Sequence, residues 1–184
     1  MTASEDLYRG GAPFAVRSDR LHHPDDPTEE FDRVVVEHPG ASVVLAVDAE
    51  ERVLVVRQYR HPAGHRLVEL PAGLLDQPGE DPEEAARREL VEEAGYEAVS
   101  WTLLASTYSS PGVTSEVIHL YLARDLQVAD RGDFEAAHEE ADMELLWMPF
   151  ADLLDGVLAG RTSNGPMVNA VLLAHTRGLV GAPV

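Results

Sequence analysis

Three glutamates at helical spacing, between a glycine loop and a second glycine, restrict the fold of this chain more than any other feature. Glu89, Glu92 and Glu93 lie in the segment GLLDQPGEDPEEAARRELVEEAGY, which runs from Gly73 to Tyr96. Their positions i, i+3 and i+4 share one face of an α-helix, where like charges repel. A hard cation such as Mg²⁺ turns that repulsion into binding, because it takes carboxylate oxygens together with substrate phosphates. The pattern indicates chemistry on phosphate; the alternative is an ordinary solvated acidic helix.

Signals for both ends of this helix are present in the same segment. Asp81 is a suitable N-cap, Pro82 follows at the first helical position, and Glu84 stands where a capping box requires a glutamate. Gly95 is placed to end the helix in the left-handed conformation. An apolar side, rotated away from the three glutamates, is formed by Leu90, Val91 and Ala94. The helix is therefore predicted to dock by one face while its acidic face lines a cleft.

The order of residues from Glu80 to Tyr96 resembles the signature of the Nudix hydrolases, G-x5-E-x7-R-E-U-x-E-E-x-G-U, where U is a bulky apolar residue. Every fixed position from Glu80 to Gly95 agrees, and Tyr96 is a polar version of the last U. One departure is that six residues, not five, separate Gly73 from Glu80, in a loop that tolerates insertions. The resemblance implies bound Mg²⁺, with Mn²⁺ as a substitute. The ligands that it implies are the Ala72 carbonyl and the side chains of Glu89, Glu92 and Glu93.

Hydrophobic patterns in the rest of the chain predict an α/β (α+β) fold. Strands are predicted at 31–37, 41–47, 52–58, 67–70, 101–108, 116–123 and 143–148, the second and third forming a hairpin. Helices are predicted at 149–159 and 166–177, the latter capped by Ser163 or Asn164. Residues 2–27 have a mixed pattern. The Nudix resemblance specifies an α/β/α sandwich with a mixed sheet, divided here into an N-terminal segment, 1–37, and a Nudix domain, 38–184.

Composition excludes several classes of protein. A chain of 184 residues with 45% apolar residues can bury one sizeable core. We expect no membrane span and no signal peptide, since no apolar run is long enough and the opening MTASEDLYRGG lacks basic and apolar regions. With no cysteine, a cytoplasmic protein is expected. A net charge of −19 argues against binding nucleic acid, and it requires metal and local arginines to offset it at an anionic substrate.

Segments outside the signature are similar to the ADP-ribose pyrophosphatase subgroup of this family. Pro111 lies sixteen positions beyond Gly95, in SPGVTSE, which resembles that subgroup's S-P-G-x-x-x-E. The segments RQYR, ELPAG and EHPG match it as well. The resemblance implies hydrolysis of ADP-ribose to AMP and ribose 5-phosphate. The predicted substrate-binding residues are Arg33, Arg60, Glu69, Pro111, Gly112 and Glu116; the two arginines suit phosphate by their bidentate geometry.

The general base is predicted in the acidic segment HEEAD, by resemblance to a catalytic loop of the subgroup. Glu139 or Glu140 would activate or position the water, and the sequence leaves the choice between them open. The alternative is a solvated acidic loop. Glu93 joins the catalytic set through the metal, and Arg88 is predicted to hold one of the signature carboxylates in place.

Two other functions remain open, along with the oligomeric state. One is hydrolysis of another nucleoside diphosphate sugar, such as a GDP- or UDP-sugar. The other is a Nudix domain that senses ADP-ribose without cleaving it, which usually has a degraded signature or an attached DNA-binding domain. The resemblance also implies a homodimer that exchanges N-terminal segments. Val34 to Val36 would make a poor exposed edge; the rival is that this strand pairs within its own subunit.

Overall fold

The computed structural model describes residues 1–11, 13–131 and 143–181, which form ten strands and three α-helices. The strands are β1 Ala3–Arg9, β2 Ala15–His22, β3 Glu30–Glu37, β4 Ala41–Ala46, β5 Arg52–Arg60, β6 His65–Glu69, β7 Ala72–Leu74, β8 Tyr96–Tyr108, β9 Val117–Val128 and β10 Glu144–Pro149. The helices are α1 Pro82–Ala94, α2 Phe150–Leu158 and α3 Gly165–Thr176, with a short 3₁₀ turn at His61–Ala63. Within these residues no helix is both long and apolar enough to cross a membrane.

The strands form three sheets, one of them mixed. The central sheet has the order β7-β4-β9-β8, in which β4 and β9 run parallel and the other pairs are antiparallel. A second sheet, β10-β5-β6, and an N-terminal sheet, β1-β2-β3, are antiparallel throughout. The predicted mixed sheet is therefore confirmed.

Alternate residues of β4 face two different cores. Val43 and Leu45 pack in the cluster that includes residues of α2 and α3. Val44 and Ala46 pack in the cluster under α1. Because successive side chains of a strand point to opposite faces, this division places helices on both faces of the central sheet, as the predicted α/β/α sandwich requires.

The predicted hairpin between residues 41–47 and 52–58 is wrong beyond a single bridge at Val47 and Val53. β4 pairs instead with β7 and β9, while β5 pairs with β6 and β10. The reason is burial: from its second residue onward β4 is buried on both faces. Such a strand is stable in the centre of a sheet, with neighbours at both edges, and proximity in sequence does not decide those neighbours.

The other differences concern strands with little apolar signal. Residues 2–27 contain β1 and β2, which the mixed pattern did not predict, and every residue of β1 is exposed. The short strand β7 was also missed. The strands predicted after residue 30 and both later helices are present, although β8 begins at Tyr96 and β9 continues to Val128. Exposed strands lack the apolar alternation that reveals a half-buried strand.

Both predicted ends of α1 are confirmed. The Asp81 carboxylate accepts a hydrogen bond from the Glu83 amide at 2.9 Å. Gly95 has φ of 71°, and its amide donates to the Val91 carbonyl at 2.9 Å. The buried residues of the helix are Ala85, Ala86, Leu90, Glu93 and Ala94. The apolar face is thus docked, and the helix turns its glutamates toward the edge of the central sheet at β7.

Candidate active site

One cavity of about 960 Å³ lies between α1, the central sheet, and the strands β5 and β6. It brings together most of the residues that the sequence singled out. From the predicted metal ligands it contains Ala72, Glu89, Glu92 and Glu93; from the predicted substrate contacts it contains Arg60, Glu69 and Glu116. The acidic face of α1 thus forms one wall of a cleft, and the arginine of β5 belongs to the same cleft.

Glu93 joins α1 to β7 directly. Its side chain is almost fully buried, with 5% of the residue exposed, and its carboxylate accepts a hydrogen bond from the Ala72 amide at 3.0 Å. Gly73 lies so close to the helix that a Cβ there would overlap the carboxyl group of Glu89. Any larger residue at position 73 would therefore displace the Glu89 carboxyl group from its place in the cavity.

Arg88 binds three carboxylates at once. Its Nε and Nη2 donate to Glu80 at 3.0 and 3.1 Å, and its Nη1 donates to Glu89 at 2.5 Å and to Glu92 at 3.0 Å. Hydrogen bonding to Glu80, together with the charge of Glu89, raises the pKa of Arg88 far above its usual value, and the same contact lowers the pKa of Glu80. The prediction that Arg88 holds signature carboxylates in place is confirmed by these contacts.

The oxygens of this wall are of the kind that Mg²⁺ prefers. Carboxylates and a backbone carbonyl are hard ligands, and Glu89, Glu92 and Glu93 line the cavity beside Ala72. Within residues 1–11, 13–131 and 143–181, however, no three Asp, Glu, His or Cys side chains converge closely enough to hold a cation. Arg88 supplies the positive charge between Glu89 and Glu92 instead. The donor set fits a divalent cation in its chemistry, and metal binding stays a prediction.

A second charged group in the cavity surrounds Glu69. This carboxylate is buried, with 4% of the residue exposed, and it accepts hydrogen bonds from Arg60, Gln58 and Asn164. The Arg60 contacts are 3.0 Å from Nε and 2.8 Å from Nη2. Arg60 itself is half exposed, with 41% of its side chain accessible. An arginine fixed by a buried carboxylate and open to the cavity is suited to contact an anion.

Gln58 and Asn164 were not predicted as site residues. Gln58 is a buried polar residue of β5, two positions after the buried Val56 on the same face of the strand. A polar residue that continues a core-facing alternation is a signal that the sequence does offer. Asn164 was predicted only as one of two alternative helix caps. Its cap is confirmed, since the side-chain oxygen accepts from the Met167 amide at 2.9 Å.

Glu116 faces the cavity beside His38. The His38 Nδ1 lies 3.6 Å from Glu116 Oε1, and both side chains are largely buried. The preceding turn is tied to β3, because the Val36 amide donates to the Val113 carbonyl at 2.8 Å and the Ser115 amide donates to the Val36 carbonyl at 3.1 Å. The turn between β8 and β9 thus connects the N-terminal sheet to the cavity wall.

Three predicted substrate contacts are not among the residues that line this cavity. Pro111 and Gly112 lie in the exposed part of the turn between β8 and β9. Arg33 is exposed on β3, where its guanidinium lies 4.4 Å from the centre of the Phe31 ring and donates to the Asp32 carbonyl. Glu139 and Glu140 lie outside the described residues. The roles of all five remain predictions.

Comparison with known proteins gives concordant matches for sequence and fold. A model of the NUDIX domain matches residues 36–170. The chain is 42% identical over 174 residues to an ADP-ribose pyrophosphatase of Mycobacterium tuberculosis, covering 95% of this chain and 82% of that protein. It is 34% identical over 148 residues to a GDP-mannose pyrophosphatase of Escherichia coli, with 74% of each covered. A crystal structure of an ADP compounds hydrolase superposes with a TM-score of 0.76, at 23% identity, over 97% of this chain and 95% of that one.

Proposed function

Because the chain belongs to the Nudix family of hydrolases, we propose that it hydrolyses the pyrophosphate bond of ADP-ribose to AMP and ribose 5-phosphate. The observation that carries this proposal is a single cavity with the signature glutamates along one wall and the Arg60–Glu69 pair in the same space. A pyrophosphate needs both, since its charge must be neutralised and its orientation fixed. The identity of 42% to an ADP-ribose pyrophosphatase over 95% of the chain supports the choice of substrate.

The proposed metal ligands are Glu89, Glu92 and Glu93, with the Ala72 carbonyl. When bound, a divalent cation supplies neutralisation of phosphate charge and a more acidic water molecule. The chain's own contribution is to hold the carboxylates together: Arg88 binds Glu89 and Glu92, and the Ala72 amide holds Glu93. Mg²⁺ is the proposed ion, with Mn²⁺ as a substitute.

Substrate is proposed to enter against Arg60, whose guanidinium can bind two oxygens of one phosphate. Glu116, which also lines the cavity, is proposed to orient a hydroxyl or a cation beside it. Glu139 or Glu140 is proposed as the base that takes a proton from the attacking water.

Hydrolysis of another nucleoside diphosphate sugar is the second candidate. The observation in its favour is the similarity to a GDP-mannose pyrophosphatase, at 34% identity over 74% of the chain. We propose ADP-ribose as the first candidate because the match to the ADP-ribose pyrophosphatase has a higher identity and covers more of the chain. An intact signature disfavours a domain that senses ADP-ribose without cleaving it.

We also propose a homodimer in which residues 1–37 of each subunit contribute to the partner's site. The N-terminal sheet exposes Leu7, Tyr8 and Val34, and Phe14 is exposed just before β2. Arg33 of this sheet projects from β3, which is bonded to the turn that leads to Glu116. The division of the chain at residue 37, with a Nudix domain at 38–184, and a cytoplasmic location belong to the same proposal.

The experiment is to incubate the purified protein with ADP-ribose, GDP-mannose and a UDP-sugar, each with Mg²⁺, with Mn²⁺ and with a chelator, and to identify the products. We expect AMP and ribose 5-phosphate from ADP-ribose, and no turnover with the chelator. A higher kcat/KM for GDP-mannose would select the second candidate. Binding of ADP-ribose without cleavage of any of the three would select the sensor.

A further inference from the structure

Asn164 connects the beginning of α3 to the buried carboxylate of Glu69. Its side-chain oxygen accepts from the Met167 amide at 2.9 Å, and its side-chain nitrogen donates to Glu69 Oε1 at 3.1 Å. The two partners fix which end of the amide is which, since an amide hydrogen needs the oxygen and a carboxylate needs the NH₂ group. The residue is therefore bound on both sides in a single orientation.

The carboxylate that Asn164 contacts has little capacity left for other donors. Oε1 of Glu69 accepts from Asn164 and from Arg60 Nε at 3.3 Å, while Oε2 accepts from Gln58 at 3.0 Å and from Arg60 Nε and Nη2 at 3.0 and 2.8 Å. A carboxylate offers about four lone-pair positions. Donors from the protein fill them, so Glu69 is arranged to hold Arg60, and a direct contact of Glu69 with substrate stays a prediction.

The three residues that donate to Glu69 come from two separate parts of the fold. Gln58 and Arg60 lie on β5, Glu69 ends β6, and Asn164 precedes α3. Gln58 and Arg60 are two positions apart, so their side chains lie on the same face of the strand. By themselves they would bind Glu69 from one direction. Asn164 provides a donor from another element of the fold.

We propose that Asn164 is a positioning residue for substrate binding: it fixes Glu69, and through Glu69 it sets the direction of the Arg60 guanidinium in the cavity. The proposal rests on the proposed function, in which Arg60 contacts a substrate phosphate. Its consequence is that substrate affinity depends on a residue that does two separable tasks, capping a helix and donating to a carboxylate.

Two substitutions separate these tasks. Asn164→Ser keeps a good N-cap and removes the amide donor, while Asn164→Asp also keeps the cap but places a carboxylate against Glu69. The matched control is Asn169→Asp, the same chemical change at an exposed position of α3. For Asn164→Ser we expect the KM for ADP-ribose to rise about 10-fold with kcat changed less than about 2-fold. Asn164→Asp is expected to raise KM further, and Asn169→Asp to leave it unchanged.

A double-mutant cycle with Arg60→Ala tests whether the effect passes through Arg60. If it does, Asn164→Ser raises KM no further in the Arg60→Ala background. Additive effects on KM in the double variant, or a wild-type KM for Asn164→Ser, would overturn the proposal. A merely structural role for Asn164 would lower the melting temperature of Asn164→Ser without this dependence on Arg60.

A measurement without substrate separates this inference from the proposed function. The Nε–H resonance of Arg60, assigned by its disappearance in Arg60→Ala, is expected to shift and to exchange faster with water in Asn164→Ser, and to be unchanged in Asn169→Asp. If the wild-type protein cleaves no ADP-ribose, the proposed function fails while this resonance still reports on Arg60. An unchanged resonance in Asn164→Ser contradicts the positioning role whatever the substrate is.

Discussion

The helix α1 and the N-terminal sheet β1-β2-β3 differ in what holds them in place. Ala86, Leu90 and Ala94 of α1 are buried in a core shared with the central sheet. By contrast, all residues of β1 are exposed. A three-stranded sheet needs a covered apolar face to be stable by itself. The packing of α1 is thus completed within its own chain, while β1 leaves an exposed surface at which the proposed partner subunit would bind.

Ion pairs show the same contrast. Arg88 and its three carboxylates have side chains only 12 to 33% exposed. In the N-terminal sheet the side chains of Arg9 and Asp6 are 56% and 46% exposed, and those of Arg20 and Asp32 are 53% and 52% exposed. Exposed pairs of this kind contribute little to stability, because water and salt screen their attraction. These two exposed pairs therefore do not replace a core, although a third pair of the same sheet, Arg17 with Asp19, is only 28% and 9% exposed. The pairs of Arg88, by contrast, all lie beside the cavity.

The largest effect is expected for Glu93→Gln, which tests whether the buried Glu93 of α1 binds the metal ion. Loss of one charge among the proposed ligands should lower kcat/KM by about 10³-fold. The amide oxygen can still accept the hydrogen bond from the Ala72 amide, so the fold should be kept and the melting temperature unchanged or higher. Steady-state kinetics with Mg²⁺ and thermal unfolding are the measurements.

The matched control is Glu84→Gln, the same change at an exposed position of the same helix, which should leave both quantities unaltered. If Glu93→Gln keeps more than about a tenth of the wild-type kcat/KM, a difference below about 1.4 kcal/mol, Glu93 is not a metal ligand.

The next effect concerns Glu139 and Glu140, which belong to neither of the two compared regions. One of the two Gln variants is expected to lower kcat by about 10²-fold with little change in KM, as for a base that acts only in the transition state. The other should behave as wild type and serves as the control. Wild-type kcat in both variants would remove this segment from the mechanism and leave α1 as the main source of catalytic carboxylates.

A smaller effect is expected for Val34→Asp, which should weaken binding of the N-terminal sheet to the partner subunit of the proposed dimer. Val34 and Val99 are both exposed valines, at 52% and 66%, on β3 and β8 respectively. Val34→Asp should raise the dissociation constant of the dimer by at least about 10-fold, because it would bury a charge, and should lower activity at low protein concentration. Val99→Asp should change neither.

Light scattering and turnover across a dilution series are the measurements. Removal of residues 1–37 should have the same effect as Val34→Asp, only larger. An intact protein that is monomeric at micromolar concentration with full turnover would show that the N-terminal sheet is not part of a shared site.

The smallest effect is expected for Glu80→Gln, which removes one carboxylate from Arg88. The contact with Arg88 lowers the pKa of Glu80, so the pair stabilises the folded state above the usual glutamate pKa of 4.5 and this contribution is lost as the pH falls through the lower folded pKa. At pH 7 the variant should melt about 2 to 4 °C lower than wild type, and the difference should shrink below about pH 4.

Thermal unfolding between pH 3 and pH 8 provides the measurement for Glu80→Gln. The control is Glu83→Gln, which breaks the more exposed pair with Arg87 on the same helix and should change the melting temperature less. A difference from wild type that does not depend on pH would show that Glu80 acts through packing and not through its charge.

The sequence by itself determined the helix of the signature and which of its residues share a face. The N-cap at Asp81, the end at Gly95 and the common cavity of Glu89, Glu92 and Glu93 are as predicted. Each of these depends on residues within about one helical turn of one another, so periodicity and local hydrogen bonding suffice. The resemblance of the same segment to the Nudix signature then predicted the α/β/α sandwich.

The tertiary structure alone decided what surrounds that helix. The close contact between Gly73 and the Glu89 carboxyl group comes from the placement of β7 against α1. The arrangement around Glu69 joins β5, β6 and the residue before α3, with 95 positions separating Glu69 from Asn164. Strand pairing likewise explains why the polar segments β1 and β2 are strands. It also places Arg33 on β3, outside the cavity of its own chain. Contacts between residues far apart in sequence leave no periodic pattern, because the partner of each group is chosen by the packing of whole elements.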